Sequence, residues 1–306
     1  MIDIIEIKSF LPKKKINTHK KFKKNFNKDF FINKIGSTHV RRLSGDNKEV
    51  VVEMCVKAFK KLKKKNIKNI KTIILCTQNP DYDGLPHNSA IIHNRLKKID
   101  KNINDNVACF DISLGCSGYI YCLKIIESFL KPNEQGLIFT CDPYSKIIDP
   151  NDYHTEILFG DAATVSLVKH DKFKPKFNFE FHTYGQHFRD LIKKNNILHM
   201  NGRNIFNFVL SKIPNLLKEF LKKNKLNTKQ VKNFYFHQGS KYIIESIVKK
   251  MHIKKSQAPI MLDQIGNTVS SSIPLTMEYS DYKKRKKPLI LCGFGVGLSV
   301  SLCLII

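Results

Sequence analysis

No Cys-x-x-Cys pair occurs among the eight cysteines, at positions 55, 76, 109, 116, 122, 141, 292 and 303, so the usual dithiol and zinc spacings are missing. Most of them lie inside apolar runs such as Ile73-Ile-Leu-Cys76 and read as reduced core residues of a cytoplasmic protein. Acid is scarce: 26 Asp and Glu stand against 53 Lys and Arg, a formal net charge of +27. That surplus raises nucleic acid, a membrane surface or an acidic protein as partners. Yet no RNP, zinc-finger or helix-turn-helix signature accompanies it, so no nucleic-acid partner is expected. A secretion signal is not expected either, because Met1–Ile7 carries Asp3 and Glu6 and no apolar segment follows. Tryptophan is absent altogether.

What is present suffices for a large core. The 306 residues are 42% hydrophobic, enough for one large domain or two ordinary ones. The last eighteen residues, Leu289–Ile306, carry no charge and follow Lys-Lys-Arg-Lys-Lys-Pro, the outline of a terminal anchor. Within them, however, Gly293, Gly295, Gly297, Ser299 and Ser301 alternate with apolar residues. Period two with a glycine break predicts a buried strand pair and no membrane span.

Strand and helix patterns alternate along the chain. Strands are predicted at Ile2–Ile7, Thr72–Cys76, Val107–Phe110, Leu137–Cys141, Lys174–Tyr184, Asn233–His237 and Ile260–Leu262. Helices are predicted from Asp46, as N-cap, to Leu62, near Asn88–Lys98, behind Cys116, at Arg203–Lys223 and Ser240–Lys250, and after Gly266. Such alternation argues an α/β fold with buried, largely parallel sheets. The two halves also resemble each other. Lys71-Thr-Ile-Ile-Leu-Cys-Thr-Gln-Asn matches Lys232-Asn-Phe-Tyr-Phe-His-Gln-Gly, Asp111–Cys116 matches Asp263–Asn267, and Leu137–Asp142 matches Leu289–Phe294. Three matches in one order predict a duplication, with halves at residues 1–170 and 171–306. They set Thr77 opposite His237 and Cys116 opposite Asn267.

Cys116 stands out in Asp111-Ile-Ser-Leu-Gly-Cys-Ser-Gly-Tyr-Ile120. A strand precedes it, and Tyr119, Ile120, Leu123, Ile126 and Leu130 recur behind it at helical spacing. A cysteine between glycines at a helix N-terminus can be a nucleophile, and the unpaired N–H groups there favour thiolate. Buried cysteine is otherwise a small hydrophobe, and a lone His237 or Asn267 could be structural or a helix cap.

Seven pieces in order resolve the choice: Thr77-Gln-Asn-Pro-Asp81, Phe110–Ile120, Ile157-Leu-Phe-Gly-Asp-Ala162, Met200-Asn-Gly-Arg-Asn-Ile-Phe206, His237-Gln238, Gly266-Asn-Thr-Val-Ser-Ser-Ser-Ile-Pro274 and Gly293-Phe-Gly-Val-Gly297. The chain thereby resembles β-ketoacyl-[acyl-carrier-protein] synthase III of the thiolase-like superfamily. The resemblance implies an α/β, thiolase-like fold, two duplicated halves forming a layered αβαβα sandwich. It implies a Cys116–His237–Asn267 triad, with the backbone N–H groups of Cys116 and Val296 as oxyanion hole, in a decarboxylative condensation of an acyl thioester with a malonyl thioester on a carrier protein. Gly202, Gln238, Ser240, Lys241 and Arg41 become candidates for substrate or carrier contacts. No metal or cofactor is implied, the substrates being acyl-CoA or acyl-carrier protein, and a homodimer is. Asp83–His87 would border the partner's acyl pocket.

The departures concern the donor. His237-Gln-Gly-Ser-Lys-Tyr242 replaces the family's commoner run, and no tryptophan is available to stack on the adenine of CoA, leaving Phe30 or Phe31 as the nearest candidates. This favours a carrier-bound donor, which a lysine-rich surface suits. The alternatives are an acyltransferase passing the group from Cys116 to a hydroxyl or amine, and a non-catalytic subunit.

Overall fold

The computed structural model describes residues 1–43, 49–171, 175–284 and 286–306. The chain begins with β1 (Ile2–Phe10), β2 (Lys15–Asn17), α1 (Thr18–Phe22), β3 (His39–Arg41), α2 (Val50–Phe59) and β4 (Ile70–Cys76). Next come α3 (Asn88–Lys97), β5 (Ala108–Ile112), α4 (Gly118–Phe129), β6 (Gln135–Cys141), α5 (Tyr153–Glu156) and β7 (Ala163–His170). Then β8 (Phe177–Thr183), β9 (Leu191–Lys194), β10 (Ile197–Met200), α6 (Gly202–Lys223), β11 (Asn233–Phe236), α7 (Lys241–Lys250) and α8 (Ser272–Tyr279) lead to the hairpin β12 (Leu289–Gly295)–β13 (Ser299–Ile305).

Two sheets carry the architecture, in the orders β1-β7-β6-β4-β5 and β8-β13-β12-β11. In the first, β6, β4 and β5 run parallel while β1, β7 and β6 pair antiparallel. In the second, β11 and β12 run parallel while β12, β13 and β8 pair antiparallel. Matching β1 with β8, β7 with β13, β6 with β12 and β4 with β11 superimposes order and direction. Among the described strands of these two sheets, only β5 lacks a counterpart.

Between the sheets lies a helical layer. α4 packs on β4 and β6 of one sheet and on β12 and β13 of the other, and α8 packs on β1, β7 and β11. α2 and α3 cover the outer face of the first sheet, and α6 covers β13 with α7 beside it. The layers therefore read αβαβα. Burial on both faces explains why β6, β12 and β13 are buried at every position and why their sequences are nearly continuous apolar runs. It also explains α4, where Tyr119, Ile120, Leu123 and Ile126 are all inaccessible to solvent.

Two strand expectations require correction, and the sheets are mixed instead of largely parallel. Ile260–Leu262 forms no strand. The Gln238 side chain clamps this segment instead, its Oε1 accepting from Met261 N at 2.9 Å and its Nε2 donating to Phe236 O at 2.8 Å. Val107–Phe110 is not a buried strand: β5 is a sheet edge, with Ala108 exposed and Cys109 to Ile112 half-buried. The Lys- and Asn-rich stretch after β1 holds β2, α1 and a wide helical turn at Phe30–Ile35 that buries Phe31, and β2 pairs antiparallel with β3 beyond it. Asp46 and Lys174 lie outside the described residues. The apolar C-terminal run is the β12–β13 hairpin, and no helix among the described residues is long and apolar enough to cross a membrane.

Candidate active site

The parallel strands end on one side of the molecule, and chemically able side chains collect there, as they do at strand carboxyl ends in other α/β folds. After β5, residues 113–117 turn into α4 and place Cys116 two residues before the helix. The turn is tight: Gly118 N donates to Gly115 O at 2.8 Å, and a Cβ on Gly118 would sit 2.2 Å from Cys76 Sγ. From the other half, Ser301 Oγ donates to Ser117 O at 2.9 Å and Ser117 Oγ bonds Ser299 Oγ at 2.7 Å. A Cβ on Gly295 would lie 2.8 Å from Cys116 Sγ, so glycine lets the second hairpin reach the thiol.

His237 follows β11, its N–H donating to Cys292 O at 2.9 Å. Its ring meets Phe294 edge-on at 5.4 Å and its Nδ1 lies 2.7 Å from Ser272 Oγ. Asn267 sits in a segment laid across the first half: Asn267 N donates to Leu158 O and Gly160 N to Asn267 O, both at 2.8 Å. Further along, Ser271 Oγ donates to Thr140 O at 3.0 Å. Asn267 Oδ1 accepts from Val269 N at 2.9 Å, which turns the Nδ2 protons to the other side of the amide.

Cys116, His237 and Asn267 line one cavity of about 500 Å³, although each is at most 5% exposed. Phe159 and Tyr144 pack ring to ring at 4.9 Å in its wall, where the Tyr144 hydroxyl donates to Gln78 Oε1 at 2.9 Å. Gly202, Arg203, Phe206, Ser240 and Phe30 also line it.

Burial dominates the electrostatics. It holds His237 down to about 3, against a smaller upward pull from the Val269 carbonyl, so the imidazole is neutral at physiological pH. Burial, and then the carboxylate of Asp142, push the Cys116 thiol well up, although the backbone amides of Cys116 and Val296 face Sγ and pull it down. A helix N-terminus by itself favours thiolate; burial acts in the opposite direction at Cys116. Asp142 is itself raised to about 6 by burial, despite accepting from Gln78 N at 2.7 Å.

The contact candidates divide. Gly202 and Ser240 line the cavity, Ser240 also capping α7 by accepting from Ile243 N. Gln238 does not, since its amide holds the 259–261 segment. Arg41 is outside too, its guanidinium donating to the carbonyls of Pro12, Lys13 and Gln264. Lys241 donates to Ile32 O at 3.2 Å and is not in the lining. Phe30 lines the cavity and stacks on Phe26 at 4.4 Å, whereas Phe31 is buried elsewhere. Arg203, Tyr144 and Phe294 were not singled out from sequence; Arg203 and Phe294 fall inside matched motifs, whereas Tyr144 carried no signal. Among the described residues, no group of three or more His, Cys, Asp or Glu side chains is placed to hold a metal.

Two stacked α/β sheets around a buried helix, with a cysteine at that helix's start, define an acyl-transferring condensing enzyme of the thiolase-like fold. Profiles described as 3-oxoacyl-[acyl-carrier-protein (ACP)] synthase III and its C terminal match residues 110–185 and 221–306. Among curated proteins, a beta-ketoacyl-[acyl-carrier-protein] synthase III of Clostridium botulinum (strain Kyoto / Type A2) is 32% identical over 286 residues, covering 85% of this chain and 84% of that one. One from Campylobacter jejuni is 29% identical, covering 96% and 94%. The structure of a 3-oxoacyl-(acyl-carrier protein) synthase from Burkholderia xenovorans superposes with a TM-score of 0.89 at 25% identity, over 99% of this chain and 93% of that one. The chain belongs to the beta-ketoacyl-[acyl-carrier-protein] synthase III family.

Proposed function

We propose that Cys116 takes an acyl group from a thioester and that the acyl-enzyme condenses with a malonyl thioester on an acyl-carrier protein. In the first step, the thiol sulfur attacks the donor's carbonyl, gives up its proton and expels the donor thiol. In the second, a malonyl thioester loses CO₂ and the electron pair develops as an enolate. Asn267 Nδ2 and His237 Nε2 donate to that enolate oxygen, where charge appears. The enolate carbon then attacks the acyl-Cys116 carbonyl, whose oxyanion the amides of Cys116 and Val296 hold. Collapse returns the Cys116 sulfur, which recovers a proton. No step asks for a metal or cofactor.

The observation that carries this reading is the pairing, in one cavity, of a thiol faced by two backbone amides with an asparagine whose Oδ1 is already committed. An acyltransferase to a hydroxyl or amine has no use for that second donor. Release of CO₂ from a malonyl thioester tests the choice: the protein should decarboxylate it, and acyl transfer without CO₂ would favour the alternative.

The same reading extends to organisation and partners. Residues 1–170 and 171–306 are the two repeats, supported by the matched strand orders. A homodimer is supported by the unpaired edge of β5 and by Leu85, 87% exposed on the Asp83–His87 loop. The donor is carrier-bound, a reading supported by the lack of any tryptophan to stack on adenine and by Phe26 covering one face of Phe30. An acidic carrier suits the lysine-rich surface, and a cytoplasmic location suits eight free cysteines. Ser240, Gly202 and Arg203 would line the path of the pantetheine arm.

A further inference from the structure

His237 can serve an enolate oxygen only if the nitrogen facing the cavity carries the proton. A neutral imidazole has one N–H to place on two nitrogens. Nδ1 is 2.7 Å from Ser272 Oγ, and Ser272 is 1% exposed in the first turn of α8. Among the described residues, His237 Nδ1 is the sole hydrogen-bond partner of that hydroxyl. Were Nδ1 to donate, the buried Ser272 O–H would face no acceptor, an arrangement folded proteins avoid. With the hydroxyl donating to Nδ1, every group is satisfied and the imidazole proton lies on Nε2. The Val269 carbonyl also faces the ring. It is an acceptor for the ring and gives the Ser272 hydroxyl no hydrogen bond among the described residues.

We propose that Ser272 is a positioning residue, whose hydroxyl fixes the Nε2–H tautomer of His237 and so makes it a donor to the enolate. This rests on the role given to His237 above. It separates the two half-reactions: Ser272 matters where charge develops on the malonyl thioester, and not where Cys116 takes up its acyl group. The position is well held for that purpose, because Ser271 beside it is bonded to Thr140 and Ala162 of the other half.

The test compares Ser272→Ala, Ser272→Thr and His237→Ala with the parent protein. Three readouts are needed: CO₂ release from a malonyl thioester, acyl mass added to Cys116, and histidine ¹⁵N shifts that report the tautomer. Ser272→Ala should slow decarboxylation roughly 10- to 100-fold, less than the roughly 100- to 1,000-fold expected for losing a donor outright. Its Cys116 acylation should stay within about twofold of the parent, and Ser272→Thr, which keeps the hydroxyl, should recover most of the loss. The parent's His237 should be protonated at Nε2, and Ser272→Ala should mix the tautomers. A parent protonated at Nδ1 overturns the proposal even if no variant folds. So does a Ser272→Ala protein that decarboxylates like the parent while His237→Ala is inactive. A His237→Ala protein that still decarboxylates overturns the underlying role of His237, and the inference with it.

Discussion

The two halves place their functional groups by different means. In the first, a regular strand, β5, runs into a glycine turn and α4, and Ser299 and Ser301 of the other half brace the Cys116 turn through Ser117. In the second, no strand among the described residues corresponds to β5. The equivalent stretch is held by Gln238, and Asn267 is positioned by hydrogen bonds to Leu158 and Gly160 across the junction. Both placements draw on the neighbouring half, the Cys116 turn through side-chain hydroxyls and Asn267 through backbone hydrogen bonds. The proposed nucleophile belongs to one half; of its proposed partners, His237 is held within the other half by Cys292 and Ser272, and Asn267 by hydrogen bonds across the junction.

Breaking the second arrangement should have the largest effect on chemistry. Asn267→Ala removes a donor to the enolate and should lower condensation by about 100- to 1,000-fold, measured as product from acyl and malonyl thioesters. Acylation of Cys116 should persist, because the first step does not use that amide. Equal loss in both steps would mean that Asn267 merely supports the fold.

Breaking the first should act through stability. Gly118→Ala sets a methyl 2.2 Å from where Cys76 Sγ now lies, so the turn or β4 has to shift. Overpacking of this kind costs about 1–3 kcal/mol, visible as a lower midpoint in urea. Cys76→Ala should relieve part of that loss in the double variant.

The smallest effect is electrostatic. Asp142→Asn removes the charge that, after burial, raises the Cys116 thiol. Iodoacetamide should then label Cys116 about three- to tenfold faster at pH 7.5. The pH dependence has a definite sign. Asp142 is raised to about 6 in the fold, so between its ordinary range near 4 and about 6 the unfolded chain releases this proton while the folded one keeps it. Stability contributed by this group therefore falls as pH rises through that window, and is level above it. Asp142→Asn should flatten this part of the profile.

Much of this was legible in the residues. The Cys116 turn announced itself through Gly115, Gly118 and the helical spacing of Tyr119, Leu123 and Ile126. The duplication showed in three short matches, because buried strands of equivalent position keep similar apolar runs. Other features were hidden for physical reasons. Ile260–Leu262 has a strand's composition, but strand formation depends on a ladder partner, and a glutamine side chain replaced it. Val107–Phe110 is apolar although it sits at an edge, since apolarity does not say which surface covers it. Gln238 lay in a suggestive motif and Arg41 was a contact candidate, yet their polar ends are used by backbone groups. Local sequence proposes a helix N-terminus that acidifies a thiol, whereas the outcome depends on burial that only the assembled fold creates. Ser272, one of three consecutive serines, has no sequence signal that distinguishes it from Ser270 and Ser271.

The central claim is that Cys116 carries an acyl group and yields it to a malonyl-derived carbon. Intact mass spectrometry, on protein incubated with acyl-carrier and acyl-CoA donors and then given malonyl-carrier protein, tests it most directly. A single acyl increment should appear on the parent, be absent from Cys116→Ala, and disappear on malonyl addition with matching CO₂ release. An increment that survives in Cys116→Ala, or leaves without CO₂, would contradict the account.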